Sequence, residues 1–145
     1  MNPAVYNALP KLGKSLHSVT SPAAHSYNCI AWAAEQNNKW WWPDPHNYGY
    51  WPPGVVREET LGAFIAAYGT LGYAPCDNSL PEPDAEKIAI FTDGGMPTHA
   101  ARQLADGTWT SKLGNFEDIC HQTLDALEGG KYGSVAQIMS RKRQR

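Results

Sequence analysis

A stretch rich in tryptophan and proline, residues 40–54, places the strongest constraint on how this chain folds. It holds four prolines, two glycines and six aromatic rings, in the order WWWPDPHNYGYWPPG. Because proline fixes φ and has no backbone N–H, no regular helix or strand can run through it. Loops this long in compact domains are functional or pack down on the core. We call residues 40–51 the aromatic loop and expect its rings to cover the core and to wall a cleft.

The length, the composition and the cysteine spacing indicate one globular domain with reduced thiols. The chain has 145 residues, of which 42% are hydrophobic and 18% charged, and no apolar run approaches the ~18 residues of a membrane span. Residues 1–19 lack the hydrophobic segment of a signal peptide, so we expect a cytoplasmic protein unless a specialised secretion system exports it. Three cysteines without a C-x-x-C pair predict neither a disulfide framework nor a metal site. No cofactor is expected.

Basic residues concentrate at the C-terminus, where residues 141–145 contain four of the 12 lysines and arginines. Removing those four charges takes the formal net charge from −2 to −6. The acidic remainder has no basic stripe of the kind that nucleic acid requires. We interpret residues 141–145 as a solvated tail that the fold does not need, and as a candidate contact for an acidic protein partner.

Hydrophobic spacing and turn residues predict an α+β fold. Residues 1–25 contain three prolines and predict an extended lead-in. Helical periodicity and stop residues predict helices at residues 28–38, 58–71 and 115–129. Alternation between turns predicts strands at residues 87–92, 98–104, 108–113 and 134–139, the first three forming a meander. We expect one domain over residues 26–140, in which N-terminal helices pack on a small antiparallel sheet.

Cys29 and His99 are the candidate nucleophile and base. Ser26 and Asn28 are good cap residues, and the alanine-rich run after Cys29 favours helix, so Cys29 falls in the first turn. A helix N-terminus and a nearby imidazole both lower the pKa of a thiol. We therefore expect a reactive thiolate at Cys29 and a base at His99, which begins a predicted strand. The alternative is that each side chain is a buried structural residue.

The turn that follows the His99 strand decides which polar residue orients the imidazole. A three-residue turn puts Ser111 on the face of His99, whereas a two-residue turn puts Thr110 and Lys112 there. Asp118 is a stronger partner chemically, but its predicted helix-capping role accounts for it. Ser111 is the leading candidate, and the other three stay open.

Three segments carry a resemblance to a known family: residues 29–32 at a helix start, the strand over residues 87–91, and the hairpin over residues 99–112. They resemble the NlpC/P60-like branch of the papain-like cysteine peptidases and amidases. The resemblance implies a papain-like fold and a peptidase, amidase or deamidase acting on a peptide-like substrate. The chain also resembles a family of small uncharacterised bacterial proteins through the segments YNCIAWA, THAARQ and WTSKLG and the Trp-Pro stretch.

We therefore expect a cysteine hydrolase that acts on an amide or ester carbonyl. Cys29 attacks, His99 transfers the proton and Ser111 orients the ring. The candidate substrate-binding residues are Tyr27, Trp42, Trp51 and Gln103. The alternative is a non-catalytic peptide- or glycan-binding module that uses the aromatic loop and carries an inert, buried thiol. Neither nucleic acid nor a membrane is expected as a partner.

Overall fold

One antiparallel sheet organises the fold. The computed structural model describes residues 1–143, and within them seven strands share the sheet in the order β1-β6-β5-β4-β3-β7-β2. The strands are β1 His17–Ser21, β2 Ala74–Cys76, β3 Ala85–Asp93, β4 Met96–Gln103, β5 Trp109–Lys112, β6 Asp118–His121 and β7 Ser134–Lys142. The α+β class is as predicted, but the sheet is larger than the small one expected.

The helices are short and each begins at a side-chain cap. They are α1 Pro3–Ala8, α2 Cys29–Ala33 and α3 Leu61–Gly69, with 3₁₀ turns at Leu12–Lys14 and Asp125–Leu127. Asn2, Asn28 and Thr60 accept backbone N–H bonds in the first turns of the three α-helices. The α2 helix ends earlier than predicted, because the chain turns into the left-handed region at Glu35, where φ is 63°.

The predicted meander of three strands is confirmed as β3, β4 and β5. The Leu104 amide donates to the Thr108 carbonyl at 2.7 Å, and Gly107 has a φ of 91°. This is the three-residue turn, with glycine in the left-handed conformation. The resulting register pairs Gln103 with Trp109 and puts Ser111 on the face of His99.

The first 25 residues are folded, contrary to the predicted extended lead-in. Val5, Leu9 and Leu12 are buried in the core, and β1 pairs with β6 at the edge of the sheet. Pro3 occupies the first position of α1, where a missing N–H costs nothing because that group has no helical partner. Pro3 therefore begins a helix instead of preventing one.

Residues 115–129 do not form the predicted third helix. They contain strand β6, a turn and the 3₁₀ segment. Strand β6 lies between β5 and β1, so both of its edges are hydrogen-bonded. Pairing on two sides outweighs the local capping pattern that predicted a helix, which is a weak preference.

Part of the predicted basic tail belongs to the sheet. Arg141 and Lys142 lie in β7, and the Arg141 guanidinium donates to the Leu71 carbonyl at 2.9 Å and lies 4.5 Å from the centre of the Tyr73 ring. Arg143 donates to the Ala85 carbonyl at 3.1 Å. Residues 141–143 are therefore structural, and residues 144 and 145 lie outside the described residues.

The sheet separates two apolar clusters. On one face, α2, α3 and the aromatic loop pack against Ile88, Ile90 and Ala100. On the other, α1 and Tyr132 pack with Phe91. Helices thus cover both faces, which corrects the expectation of N-terminal helices on a small sheet. No helix within residues 1–143 has the length and apolar character needed to span a membrane.

Candidate active site

A cleft of about 800 Å³ is lined by residues of both apolar clusters. Its walls come from α1, the start of α2, the aromatic loop, the turn between β5 and β6, and the segment before β7. Residues of both clusters line it, including Val5, Cys29, Trp42, Phe116 and Tyr132. Cys29 therefore borders a space large enough for a small ligand or a peptide side chain.

Asn28 ties the start of α2 to the aromatic loop. Its side-chain oxygen accepts from the Ala31 and Trp41 amides, each at 3.1 Å. Its side-chain amide donates to the Trp41 carbonyl at 2.8 Å. Since Asn28 is buried, these bonds hold the aromatic loop beside the first residue of the helix, Cys29.

Asp44 holds the far side of the aromatic loop. Its carboxylate accepts from the backbone amides of His46, Tyr48 and Gly49 at 2.7 to 3.1 Å. These bonds, that of Gly49 foremost, lower the pKa of Asp44, and Arg57 pairs with the same side chain. The loop that walls the cleft therefore has a fixed conformation.

Cys29 does not have the lowered pKa that the sequence predicts. The side chain is 7% exposed, and burial raises its pKa to about 11. The backbone N–H groups of Ala100, Ile30 and Cys29 itself oppose this rise. Because α2 has only five residues, its dipole is small and desolvation outweighs it. The resting thiol is protonated at neutral pH.

The sulfur of Cys29 lies against the peptide bond that joins His99 to Ala100. The Ala100 N–H in that peptide lowers the pKa of the thiol, and α2 packs on β4 and β5. The His99 ring projects to the other face, toward Phe91. Among the described residues, no hydrogen bond joins the Cys29 thiol to the His99 ring, and His99 Nδ1 is buried without a partner.

A buried chain of hydrogen bonds leads away from the other nitrogen of His99. His99 Nε2 lies 3.0 Å from Ser111 Oγ, which lies 2.8 Å from His121 Nε2. His121 Nδ1 lies 2.9 Å from the carbonyl oxygen of Thr123. Burial lowers the pKa of His99 well below its usual 6.5 and that of His121 to about 4. Both rings are neutral at pH 7.

Tyr132 separates His99 from the cleft. The two rings are stacked, with centroids 4.1 Å apart and planes at 12°. Tyr132 lines the cleft and His99 does not. The imidazole is fully buried, so access to it from the cleft requires the Tyr132 ring to move.

Residues 18–140 match the model of a family described as a Domain of unknown function (DUF7689). The chain belongs to this family. No curated protein and no solved structure matches the chain. The part that matches the family includes Cys29, His99, Ser111 and Tyr132, but it begins after α1, which forms one wall of the cleft.

Of the four predicted substrate-binding residues, Trp42 alone lines the cleft. Tyr27 donates to Asp118 at 2.6 Å, and Trp51 is buried against Phe64, with ring centroids 5.0 Å apart. Gln103 donates to the Ser79 carbonyl at 2.8 Å. These three side chains make contacts within the fold and do not line the cleft.

Ser111 is the candidate third residue that contacts His99. Thr110 accepts from the Trp32 indole at 2.9 Å on the opposite face of β5. The Lys112 ammonium is buried and bonds to three backbone carbonyls. Asp118 accepts a hydrogen bond from the Tyr27 hydroxyl. It begins a strand, so it does not have the helix-capping role that the sequence predicts.

Sequence reasoning missed His121 and Tyr132. The predicted helix over residues 115–129 contains His121, and only the alternation of a strand puts this residue on the face of Ser111. Nothing in the local sequence around Tyr132 indicates that it stacks on His99. Within residues 1–143, no group of three or more His, Cys, Asp or Glu side chains is arranged to hold a metal ion.

Proposed function

We propose that this protein is a cysteine hydrolase that acts on amide or ester carbonyls through Cys29, with His99 as its base. One observation carries the proposal: Cys29 borders a ligand-sized cleft against the His99 peptide, while His99 keeps one buried nitrogen unpartnered. A papain-like architecture is part of the proposal. It is supported by a cysteine at the first position of a helix that packs on the histidine strand.

The resting pair is neutral, so the mechanism begins from a thiol and an imidazole. As the sulfur bonds to the carbonyl carbon, its proton moves to His99 Nδ1 and the carbonyl π electrons move onto oxygen. The backbone N–H groups of Ala100, Ile30 and Cys29 favour negative charge on the sulfur, because they lower the pKa of the thiol. They provide a fixed positive field close to the oxyanion that develops.

The second half of the reaction returns both groups to their starting state. The tetrahedral species collapses to a thioester, and the leaving amine or alcohol takes the proton from His99. Water then adds to the thioester as His99 accepts one of its protons. When the carbon–sulfur bond breaks, that proton returns to the sulfur, and the carboxylic acid is released. Atoms and protons balance with water as the second substrate.

Substrate entry supplies the missing contact between the two groups. Catalytic hydrogen bonds are often absent in unliganded sites and tighten in the substrate complex. A substrate carbonyl seated over Cys29 displaces solvent from the cleft and lies beside the Tyr132 ring, which separates the cleft from His99. We expect the Tyr132 ring to move aside in that complex, so that the thiol and Nδ1 come together.

The cleft favours an apolar acyl group or side chain. Aromatic and aliphatic side chains dominate its lining, among them Trp40, Trp42 and Phe116. The carboxylate of Asp44 also faces it, but backbone amides and Arg57 already occupy its oxygens. A peptide-like substrate with a hydrophobic residue on the acyl side of the bond fits these walls.

Trapping of an acyl-enzyme tests the proposal. The protein is incubated with the p-nitrophenyl ester of phenylacetic acid, and intact mass and nitrophenolate release are followed. We expect one acyl adduct on Cys29 that Cys29→Ala abolishes. The matched controls are Cys76→Ser and Cys120→Ser, which remove the two more exposed thiols and keep the adduct. An adduct that survives in Cys29→Ala contradicts the proposal.

A second candidate function is a non-catalytic binding module for peptides or glycans. The burial of Cys29, with a pKa raised to about 11, favours it, as does the aromatic lining of the cleft. Calorimetric titration with phenylacetamide distinguishes the two functions. Binding of equal strength to the wild type and to Cys29→Ser, with no acyl adduct from the ester, supports the binding module and rejects the hydrolase.

A further inference from the structure

We propose that His121 is a positioning residue, which fixes the tautomer of His99 through Ser111 and leaves His99 Nδ1 without a proton. The catalytic consequence rests on the proposed function, because an unprotonated Nδ1 is the base that the reaction needs. The tautomer itself is a property of the folded protein and is measured without any substrate.

The carbonyl oxygen of Thr123 sets the direction of the chain. A carbonyl only accepts hydrogen bonds, so the contact of 2.9 Å with His121 Nδ1 requires that this nitrogen carries the proton. A neutral imidazole has one N–H. His121 Nε2 is therefore a bare acceptor.

Ser111 passes this polarity to the next ring. Its hydroxyl has a single proton, and the bare Nε2 of His121 at 2.8 Å takes it. The oxygen of Ser111 must then accept from His99 Nε2 at 3.0 Å. His99 thus carries its proton on Nε2, and its Nδ1 has a free lone pair.

The surroundings of His99 and His121 keep both rings neutral, so each ring has a single N–H. His99, Ser111 and His121 are fully buried, and burial lowers the pKa of each ring. A neighbouring histidine also disfavours the protonated form of each ring. This neighbour is His121 in the case of His99 and His17 in the case of His121. The free Nδ1 of His99 has no hydrogen-bond partner among the described residues.

Loss of the acceptor at position 121 reverses the chain. Without it, the Ser111 hydroxyl is free to donate to His99 Nε2, and the proton of His99 moves to Nδ1. That tautomer cannot accept a proton from a thiol at Nδ1. His121 therefore determines which nitrogen of His99 carries the proton, although the two rings are joined only through Ser111.

Nitrogen NMR of ¹⁵N-histidine-labelled protein at neutral pH tests the inference. In the wild type we expect a protonated Nε2 and a bare Nδ1 at His99; the opposite tautomer overturns the inference. In His121→Leu we expect Nδ1–H to appear at His99, and His121→Gln, which keeps an acceptor, restores the wild-type pattern. An unchanged His99 tautomer in His121→Leu also overturns it. If a variant fails to fold, the wild-type spectrum decides alone.

Acylation kinetics separate this inference from the proposed function. With the phenylacetate ester, His121→Leu should acylate Cys29 about 10²- to 10⁴-fold more slowly than wild type, the range for a lost general base, and His121→Gln should recover part of the loss. A bare Nδ1 in a protein that never acylates Cys29 rejects the hydrolase alone. Acylation of Cys29 with a protonated Nδ1 rejects the tautomer assignment alone.

Discussion

Tyr132 lies flat on the ring of His99, with centroids 4.1 Å apart, and it also lines the cleft that Cys29 borders. Tyr132 therefore shields the imidazole from solvent and ligands in the cleft. Because Phe91 covers another side of the ring, His99 is sealed by two aromatic residues. The low pKa of His99 follows from this burial.

Replacing Tyr132 should change the titration of His99. We expect Tyr132→Ala to open the ring to water, move the His99 pKa up toward 6.5 and cost about 3–5 kcal/mol of unfolding free energy. Tyr132→Phe keeps the stacked ring and serves as the matched control. NMR titration of the His99 ring protons and chemical denaturation measure both effects. A His99 titration that is the same in Tyr132→Ala and wild type would show that the stacked ring does not shield it.

The buried histidines should make the fold sensitive to mild acid. The pKa of His121 falls from 6.5 when unfolded to about 4 when folded, so the unfolded chain binds the proton first and stability falls as pH drops below 6.5. Between pH 6.5 and 5 this group contributes a loss on the order of 2 kcal/mol. His121→Gln removes that contribution. Urea titrations across this range should show a shallower pH dependence for the variant, and equal slopes would contradict the assignment.

Lys112 should be essential for the turn that forms one wall of the cleft. Its buried ammonium donates to the carbonyls of Ala24, Gly114 and Phe116 at 2.5 to 2.8 Å. Lys112→Met leaves these three acceptors unsatisfied, so we expect a loss of at least about 3 kcal/mol in unfolding free energy. Lys131→Met changes an exposed lysine at the cleft and should stay within about 0.5 kcal/mol of wild type. Similar stability of the two variants would refute this role.

Two tryptophans of the aromatic loop should behave differently. Trp51 is 4% exposed and packs on Phe64, so Trp51→Ala should cost about 3–5 kcal/mol of stability. Trp40 is 37% exposed and lines the cleft. Trp40→Ala should weaken the binding of phenylacetamide, measured by calorimetric titration, with little change in the free energy of unfolding. If both variants only destabilise the fold, and ligand binding by the folded fraction is unchanged, the loop has no role in binding.

Local sequence patterns predicted those parts of the fold whose signals are local. The Asp106-Gly107 turn fixes the hairpin register, and this register places Ser111 beside His99. The cap at Asn28 likewise places Cys29 at the start of a helix. Both depend on a few adjacent residues, which a sequence displays directly.

The remaining features depend on contacts between distant segments. Residues 118–121 become a strand because β1 and β5 pair with them on both sides. The chain order does not reveal that α1 closes one wall of the cleft. The high pKa of the Cys29 thiol also arises from burial by several elements, which outweighs the helix start that the sequence displays.

The pH dependence of Cys29 acylation tests the central claim most directly. If neutral His99 takes the thiol proton during attack, the acylation rate of the wild type should be nearly level from about pH 6.5 to 9, because His99 is already neutral there. His99→Gln should be slower by about 10²- to 10⁴-fold at neutral pH. Its rate should rise about tenfold per pH unit with the thiolate fraction. A wild-type rate that rises tenfold per pH unit and matches His99→Gln throughout would contradict the account.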